Sequence, residues 1–322
     1  MSKGGKRLLV TGLDIFADWL KQYIKSAEIV CTSDVSEENL INMAKEADGI
    51  LYMQIKSYPI TRAIIEAGAR LKFIQSAGVG YELIDLDAAT ENLVVVMNAP
   101  TGNTISVAEH TVALILASAK NILKAHKSTF DGNWRITDMG VELWKKNLGI
   151  VGFGRIGREV AKRMKGFEMG LLVYDPYVKR EEVFKLGGKK VDLETLLRES
   201  DVVAIHSPLT KETKHLIGVN QLAMMKDSAI LVNAARGEII DEKALYNALS
   251  EGRIRSAGLD VFEKEPVEKD NPLLSLENVV LTPHTAAQTP EALTRLMKLN
   301  GEQVEKALNG IYENVVNPNV LK

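Results

Sequence analysis

Arg236, Glu265 and His284 are residues whose types and places could together do chemistry. Arg236 stands just after the apolar run Ile230–Asn233, Glu265 follows Ser256–Leu259 and Asp260, and His284 follows Val279–Thr282 and Pro283. Short runs of this kind read as buried parallel strands, and loops beyond their carboxyl ends gather on one edge of a sheet. An arginine there offers a carboxylate a planar, permanently charged fork. A histidine titrating near neutrality can protonate an alkoxide, and a carboxylate beside it would orient the ring and favour its charged form. The trio suits hydride transfer onto a 2-keto acid. Taken singly, Arg236 reads equally as a surface ion-pair residue, Glu265 as part of the solvated charge run Glu263 to Asp270, and His284 as a turn residue. What joins them is a dinucleotide site on the same sheet.

That site is the stretch Leu148–Asp175. The apolar run Leu148–Val151 leads into Gly152, Gly154 and Gly157 at G-x-G-x-x-G spacing, and Val160, Ala161, Met164 and Phe167 then recur with helical period. A second run, Leu171–Tyr174, ends in Asp175, eighteen positions after Gly157. Gly152 permits the tight turn, Gly154 lets backbone approach a pyrophosphate, and Gly157 lets the helix pack on the sheet. The helix start offers its N–H groups and dipole to the phosphates. Asp175 can accept from the adenosine ribose hydroxyls, and its charge opposes a 2′-phosphate, favouring NAD over NADP. Lys179 and Arg180 lie just beyond and could soften that preference. His206, followed by Ser207 and Pro208, ends another strand and reads as part of the cofactor wall. His110, His126 and His215 read as structural.

The elements that must position these residues alternate along the whole chain. In the first hundred residues the strands are Leu8–Thr11, Glu28–Cys31, Gly49–Met53, Phe73–Gln75 and Leu93–Met97, with helices over Ile15–Lys25, Glu37–Ala47, Thr61–Ala67 and Asp85–Glu91. This is a parallel sheet wrapped by helices, with Thr11-Gly12-Leu13-Asp14 at its first turn in place of the glycine fingerprint. Ser106–Leu123 reads as one long apolar helix, either a buried crossover or a subunit contact. From Leu148 the strands are Leu148–Val151, Leu171–Tyr174, Val202–His206, Ile230–Asn233, Ser256–Leu259 and Val279–Thr282, a doubly wound sheet. A helix over Pro290–Leu308 could return to the first domain.

The 322 residues suit two domains, and 46% hydrophobic with 25% charged residues is a globular composition. A net charge of −2 gives no general attraction to nucleic acid or anionic lipid. The single cysteine, Cys31, excludes an intrachain disulfide and a cysteine-based metal cluster, and reads as a small buried hydrophobe. Met1–Arg7 has no apolar signal core and no run approaches the ~20 residues of a membrane span, so the expected compartment is the cytoplasm.

Several segments together resemble the D-isomer-specific 2-hydroxyacid dehydrogenases: Ala77-Gly78-Val79-Gly80-Tyr81, Leu148–Gly157, Asn233–Gly237, Gly258–Pro266 and Pro283–Ala287. The resemblance implies an NAD-dependent oxidoreductase of α/β fold with two doubly wound parallel-sheet domains. These would be a discontinuous flavodoxin-like substrate domain (1–101 and 289–322) and a Rossmann NAD-binding domain (102–288). It implies that Arg236 binds the substrate carboxylate and carbonyl, Glu265 partners the histidine, and His284 donates the proton. Backbone amides of Val79 and Gly80 would hold the substrate carboxylate, as a glycine-rich turn can. On the cofactor side it implies Arg155, Ile156, Asp175, Ala234, Ala235, Asp260, Ala286 and Ala287. It further implies a cleft closing on the substrate and a homodimer built through the nucleotide domain, with Ser106–Leu123 as a subunit contact.

The substrate is less legible. A phosphorylated acid would call for basic residues on loops of the first domain, whereas Gln75-Ser76 before the Ala77–Tyr81 loop is uncharged; Lys56 and Arg62 could serve instead. This favours hydroxypyruvate or glyoxylate, with a short 3-phosphoglycerate dehydrogenase lacking a regulatory domain after Lys322 as the alternative. A non-enzymatic NAD-sensing corepressor shares the motifs, and the absence of a recruiting tail speaks against it.

Overall fold

The computed structural model describes residues 5–53, 58–134 and 138–322 and resolves into two compact units, Met1–Asn103 with Thr289–Lys322, and Thr104–Gln288. The first unit is a five-stranded parallel sheet of β1 (Lys6–Thr11), β2 (Ala27–Thr32), β3 (Gly49–Tyr52), β4 (Phe73–Ser76) and β5 (Val95–Met97), in the order β2-β1-β3-β4-β5. Helices α1 (Asp14–Leu20), α2 (Glu37–Ala44), α3 (Arg62–Ala67) and α4 (Leu86–Glu91) connect the strands. This order is that of flavodoxin-like sheets.

Strand side chains alternate between two apolar clusters, as a period of two requires. Leu9, Ile50, Tyr52, Ile74 and Val96 pack on one face with Leu40, Ile64 and Ala88 of α2, α3 and α4. Leu8, Val10, Leu51, Phe73 and Val95 pack on the other with Leu20 of α1. That second face is completed by Met297, Val304 and Ala307 of the C-terminal helix Pro290–Leu308. Burying each such side chain contributes roughly 1.5–3 kcal/mol, which is why the chain's last helix belongs to its first unit. Cys31 is partly exposed at the margin of this cluster, less buried than its type suggested. Helix α1 stops at Leu20, short of the expected Lys25, and β5 starts at Val95 because Leu93 takes a left-handed conformation (φ 57°) and is exposed.

The second unit has seven parallel strands: β6 (Asn147–Val151), β7 (Gly170–Tyr174), β8 (Gly188–Lys190), β9 (Val202–Ile205), β10 (Ile230–Asn233), β11 (Ser256–Leu259) and β12 (Val279–Leu281). Their order, β12-β11-β10-β9-β6-β7-β8, reverses between β6 and β9, which is the Rossmann switch point. The edge strand β8 (Gly-Lys-Lys) was not foreseen, because it has no apolar run; lysines are common where an edge faces water.

The expected helix Ser106–Leu123 is two helices, α5 (Thr104–Ala119) and α6 (Ile122–Phe130), divided at Asn121 in a left-handed conformation (φ 52°). In α5, Ala108, Leu114, Ile115 and Ala119 are buried against Leu148, Ile150 and Val160 of the same unit. These contacts make α5 a crossover helix, while Ile105 at its start stays exposed and Val112 and Leu116 are only partly buried. Helix α6 buries no residue and exposes Ile122, Leu123 and Phe130. The remaining helices are α7 (Arg155–Met164), α8 (Arg180–Phe184), α9 (Leu193–Glu199), α10 (Val219–Met224) and α11 (Glu242–Ser250). Among the described residues no helix is long and apolar enough to cross a membrane.

Candidate active site

The site occupies the carboxyl edge of the seven-stranded sheet. Strand β6 turns into α7 through Gly152, whose φ of +90° suits glycine; a Cβ there would lie 2.5 Å from the Ser207 nitrogen. A Cβ on Gly157 would lie 2.4 Å from the Gly152 carbonyl oxygen, whereas one on Gly154 would meet nothing within 4 Å. The turn is thus closed beneath and open at Gly154, the cap of α7, where Arg155 and Ile156 begin the helix. An open backbone cradle at a helix N-terminus fits a pyrophosphate.

Asp175 stands at the end of β7, partly exposed. Its Oδ2 accepts from the Phe153 N–H (2.8 Å) and its Oδ1 from the N–H groups of Tyr177 (2.9 Å) and Val178 (3.1 Å). The acid therefore holds the glycine turn and its own loop. Oδ1 is filled by its two bonds, and Oδ2 keeps one lone-pair site for a ribose hydroxyl. His206 follows β9 beside the turn, its N–H donating to the Val151 carbonyl (2.7 Å). Both of its ring nitrogens, and the Ser207 hydroxyl, are buried without partners among the described residues. Burial lowers the pKa of His206 to about 4, so the ring is neutral at physiological pH. Unspent polar atoms at the end of a central strand are what a dinucleotide pocket requires. Ile156, Ala234, Ala286 and Ala287 gather with Val107 in one small apolar cluster. Pro208 and Ala235 lie on the same strand-end loops.

Arg236, Glu265 and His284 follow β10, β11 and β12, which are adjacent. Glu265 Oε2 lies 2.6 Å from His284 Nδ1, and Glu265 Oε1 accepts from the Phe262 N–H (3.1 Å). Hydrogen bonding to Glu265 holds the His284 pKa above its ordinary value; burial and the Arg236 guanidinium oppose this, and Asp260 assists it. Arg236 Nη1 donates to the Ala235 carbonyl (2.7 Å), and Asn233 Nδ2 donates to the Arg236 carbonyl (2.8 Å), fixing that loop. A Cβ on Gly237 would lie 1.9 Å from the Phe262 carbonyl carbon. Only glycine lets the Arg236 loop lie so close to the loop carrying Glu265.

Asp260, expected to face the cofactor, has no exposed surface. Its carboxylate instead holds the His284 turn, accepting from Thr282 Oγ1 (2.6 Å), Thr285 N–H (2.8 Å) and Ala286 N–H (2.9 Å). Its own carbonyl accepts the His284 N–H (2.8 Å). Burial alone would push its pKa up, but bonds from His110, Thr282, Ala286 and Thr285 outweigh it and keep the group below its usual value. His110 Nε2 lies 2.9 Å from Thr282 Oγ1 and 3.4 Å from Asp260 Oδ1. Sequence reading missed His110 and Thr282 as supports of the site. A helix residue whose partner lies 172 positions away carries no local signal. His215 pairs with Glu263 (2.8 Å) on a loop, and His126 faces Phe130 within α6.

In the first unit, Val79 and Gly80 lie on the loop after β4. Gln75 and Ser76 are fully buried in that strand, so their neutrality does not bear on whether a substrate is phosphorylated. Arg62 is engaged by Glu91 (2.5 Å) and Glu66 (3.4 Å), and Lys56 lies outside the described residues.

The fold and this edge define a Rossmann-type dinucleotide-binding α/β protein. The family model of the D-isomer-specific 2-hydroxyacid dehydrogenase NAD-binding domain matches residues 112–286. The chain is 45% identical over 318 residues to D-3-phosphoglycerate dehydrogenase of Methanocaldococcus jannaschii, covering 98% of this chain but 60% of that relative's length. It is 42% identical over 294 residues to glyoxylate reductase of Korarchaeum cryptofilum, covering 89% of this chain and 88% of the relative. The structure of D-lactate dehydrogenase from Aquifex aeolicus, complexed with NAD and lactic acid, superposes with a TM-score of 0.86 at 31% identity, over 97% of this chain and 99% of that one. The chain belongs to the D-isomer-specific 2-hydroxyacid dehydrogenase family.

Proposed function

We propose that the protein is an NAD-dependent oxidoreductase that interconverts a small 2-keto acid and its D-2-hydroxy acid, with hydroxypyruvate or glyoxylate as the favoured type of substrate. The observation that carries this reading is the 2.6 Å His284–Glu265 pair, set beside the Arg236 loop on the sheet edge that also bears the glycine turn. NAD, held by the Gly152–Gly157 turn, Asp175 and the His206–Pro208 wall, would supply or accept the hydride.

The residues of the chain do the rest. Arg236 binds the carboxylate and keto oxygen through its fork, in the role the family resemblance assigns. With Nδ1 engaged by Glu265, His284 holds the transferable proton on Nε2. In reduction that proton passes to the carbonyl oxygen as hydride reaches the carbonyl carbon, leaving neutral His284 and the hydroxy acid. Glu265 stabilises the charged ring beforehand, and Asp260 with its buried bonds keeps the His284 turn in place. The loop of Val79 and Gly80 binds the carboxylate through backbone N–H groups.

Engagement of Arg62 by two glutamates supports the unphosphorylated substrate. The 45% identity to a phosphoglycerate dehydrogenase supports 3-phosphoglycerate as the second reading. Exposed Ile122, Leu123 and Phe130 on a helix that buries nothing support a homodimer formed through α6. A cytoplasmic location accords with the sequence reading. The deciding experiment follows NADH oxidation with glyoxylate, hydroxypyruvate, pyruvate and phosphohydroxypyruvate. Turnover of hydroxypyruvate or glyoxylate with kcat/KM above that of the phosphorylated acid is expected. A preference for phosphohydroxypyruvate would establish the second reading, and no turnover of any acid would revive the NAD-sensing alternative.

A further inference from the structure

Behind the Ala77–Tyr81 loop lies a set of buried amide side chains that the catalytic reading leaves unexplained. Asn300 and Gln303 sit on the C-terminal helix, 0% and 1% exposed, where an amphipathic helix would ordinarily bury apolar residues. Asn300 Nδ2 donates to the Ala77 carbonyl (3.0 Å), and Asn98 Nδ2 donates to the Val79 carbonyl (2.8 Å). The Ala99 N–H donates to the Gly78 carbonyl (2.8 Å), and the Ser76 hydroxyl donates to the Gly80 carbonyl. Four consecutive carbonyls of one loop are thus each held by a donor within the same unit. Gln303 Nε2 in turn donates to the carbonyl of Asn98 (3.4 Å), supporting that donor.

A peptide group is planar and trans, so its N–H points opposite to its carbonyl. Holding the carbonyls of Ala77, Gly78 and Val79 therefore aims the N–H groups of Gly78, Val79 and Gly80 away from those donors, Asn300 fixing the first of these planes and Asn98 the third. Among the described residues the N–H groups of Gly78 and Val79 have no backbone acceptor, and a Cβ on Gly78 would meet nothing within 4 Å, so the loop is open at that residue. The arrangement also carries a cost, since Asn300 Oδ1 and Gln75 Oε1 are buried without partners among the described residues. A core asparagine kept at such a cost serves something other than packing.

We propose that Asn300 and Asn98 are positioning residues that lock the Ala77–Tyr81 loop into an anion seat, its N–H groups preset for the carboxylate of a 2-keto acid. The inference rests on the proposed substrate class and adds the residues that set its affinity. Neither residue touches the substrate. Each acts through the peptide plane that it fixes, so that the ordering entropy of the loop is spent on folding and not on binding.

The test uses the full chain with Asn300→Asp, which replaces the donor by an acceptor of the same shape, and Asn98→Ala, a partly exposed position where truncation is tolerated. The probe is oxamate, read in two ways: as an inhibitor of keto-acid reduction, and through the amide resonances of Gly78 and Gly80, the N–H ends of the planes that Asn300 and Asn98 hold, in isotope-labelled protein. Both variants should raise the KM for keto acid and the inhibition constant of oxamate about tenfold, the scale of one misaligned bond to a charged group. They should leave kcat and NADH affinity within about twofold. Oxamate should shift both resonances in the parent protein and fail to do so at the same concentration in the variants. Unchanged KM with an unchanged oxamate response in folded variants would overturn the proposal, and so would a fall in kcat alone. A parent protein that reduces keto acids while these amides ignore oxamate also overturns it, leaving the proposed function standing. Oxamate shifts without turnover would do the reverse, removing the proposed reaction while the seat and its dependence on Asn300 and Asn98 are still measured.

Discussion

Glu265→Gln isolates the charge of the His284–Glu265 pair from its geometry. Both carboxylate oxygens are in use, Oε2 on His284 Nδ1 at 2.6 Å and Oε1 on the Phe262 N–H at 3.1 Å. Glutamine keeps the shape but has one acceptor where glutamate has two. Whichever way the amide is turned, an NH₂ group faces a donor. A hydrogen bond to a charged group contributes roughly 1.5–3 kcal/mol and a neutral one roughly 0.5–1.5 kcal/mol. The His284 side chain is 50% exposed, so solvent screening places this pair at the low end. The charged ring then loses about 1–1.5 kcal/mol of support, about tenfold in kcat/KM for keto-acid reduction. The pH dependence is the sharper readout. Glu265 raises the His284 pKa, so the proton needed for reduction persists to higher pH, and kcat/KM falls as pH rises through that raised value. Removing the charge must move this falling limb to lower pH. By linkage, the pair stabilises the fold fully below the unfolded histidine pKa and loses that contribution as pH rises through the folded one. The assay is NADH oxidation across pH 5–9 at saturating NADH, with His284→Ala as the limit. That variant should lose at least ~100-fold in kcat, the scale of a missing general acid. A limb that stays in place in Glu265→Gln, or moves to higher pH, would refute the assignment.

Asp175→Asn retains an acceptor for the Phe153 N–H and removes the charge facing a 2′-phosphate. Two charges about 4 Å apart at an effective dielectric of ~20 interact by up to ~4 kcal/mol, so after screening the NADH-over-NADPH ratio in kcat/KM should fall about 10- to 100-fold. An unchanged ratio removes Asp175 from cofactor choice. Gly237→Ala must separate two backbone segments now too close for a Cβ. It should cost about 1–3 kcal/mol, seen as a Tm lower by several degrees together with lower turnover; a Tm equal to the parent's contradicts the packing argument. His206 has a folded pKa of about 4 against an ordinary 6.5, so protonation works against the fold and stability is lost as pH falls from 6.5 through about 4, by about 3 kcal/mol in all. His206→Leu should therefore show a smaller drop in Tm between pH 7 and pH 4.5 than the parent, and an equal drop would mean that the ring is not held neutral by burial.

Much of the fold was legible because parallel strands buried on both faces are written as short apolar runs, as in Leu148–Val151, Val202–Ile205 and Ile230–Asn233. The edge strand β8 has no apolar face to write, and the start of β5 was misplaced by a leucine in a left-handed turn. The Ser106–Leu123 pattern showed an apolar helix without its partner. Packing of Leu114 and Ile115 on β6 and α7 shows that the partner is its own unit, while the break at Asn121 leaves α6 exposed. Gln75 and Ser76 misled for a related reason, since a sequence position beside a loop does not say whether a side chain reaches it.

The sequence by itself determined which residues could do chemistry. Glycines at G-x-G-x-x-G spacing, an acid at the next strand end, and an arginine, a glutamate and a histidine beyond three strand ends are local facts, set by residue type and short-range period. What only the tertiary structure decided is what each residue spends itself on. Asp260 is committed to the N–H groups of Thr285 and Ala286, His110 reaches Thr282 after β12 from helix α5, and Asn300 grips a loop 223 positions earlier. Hydrogen bonds have fixed reach and direction, and the pairs that satisfy them are chosen by the folded backbone, which brings residues together without regard to their distance along the chain.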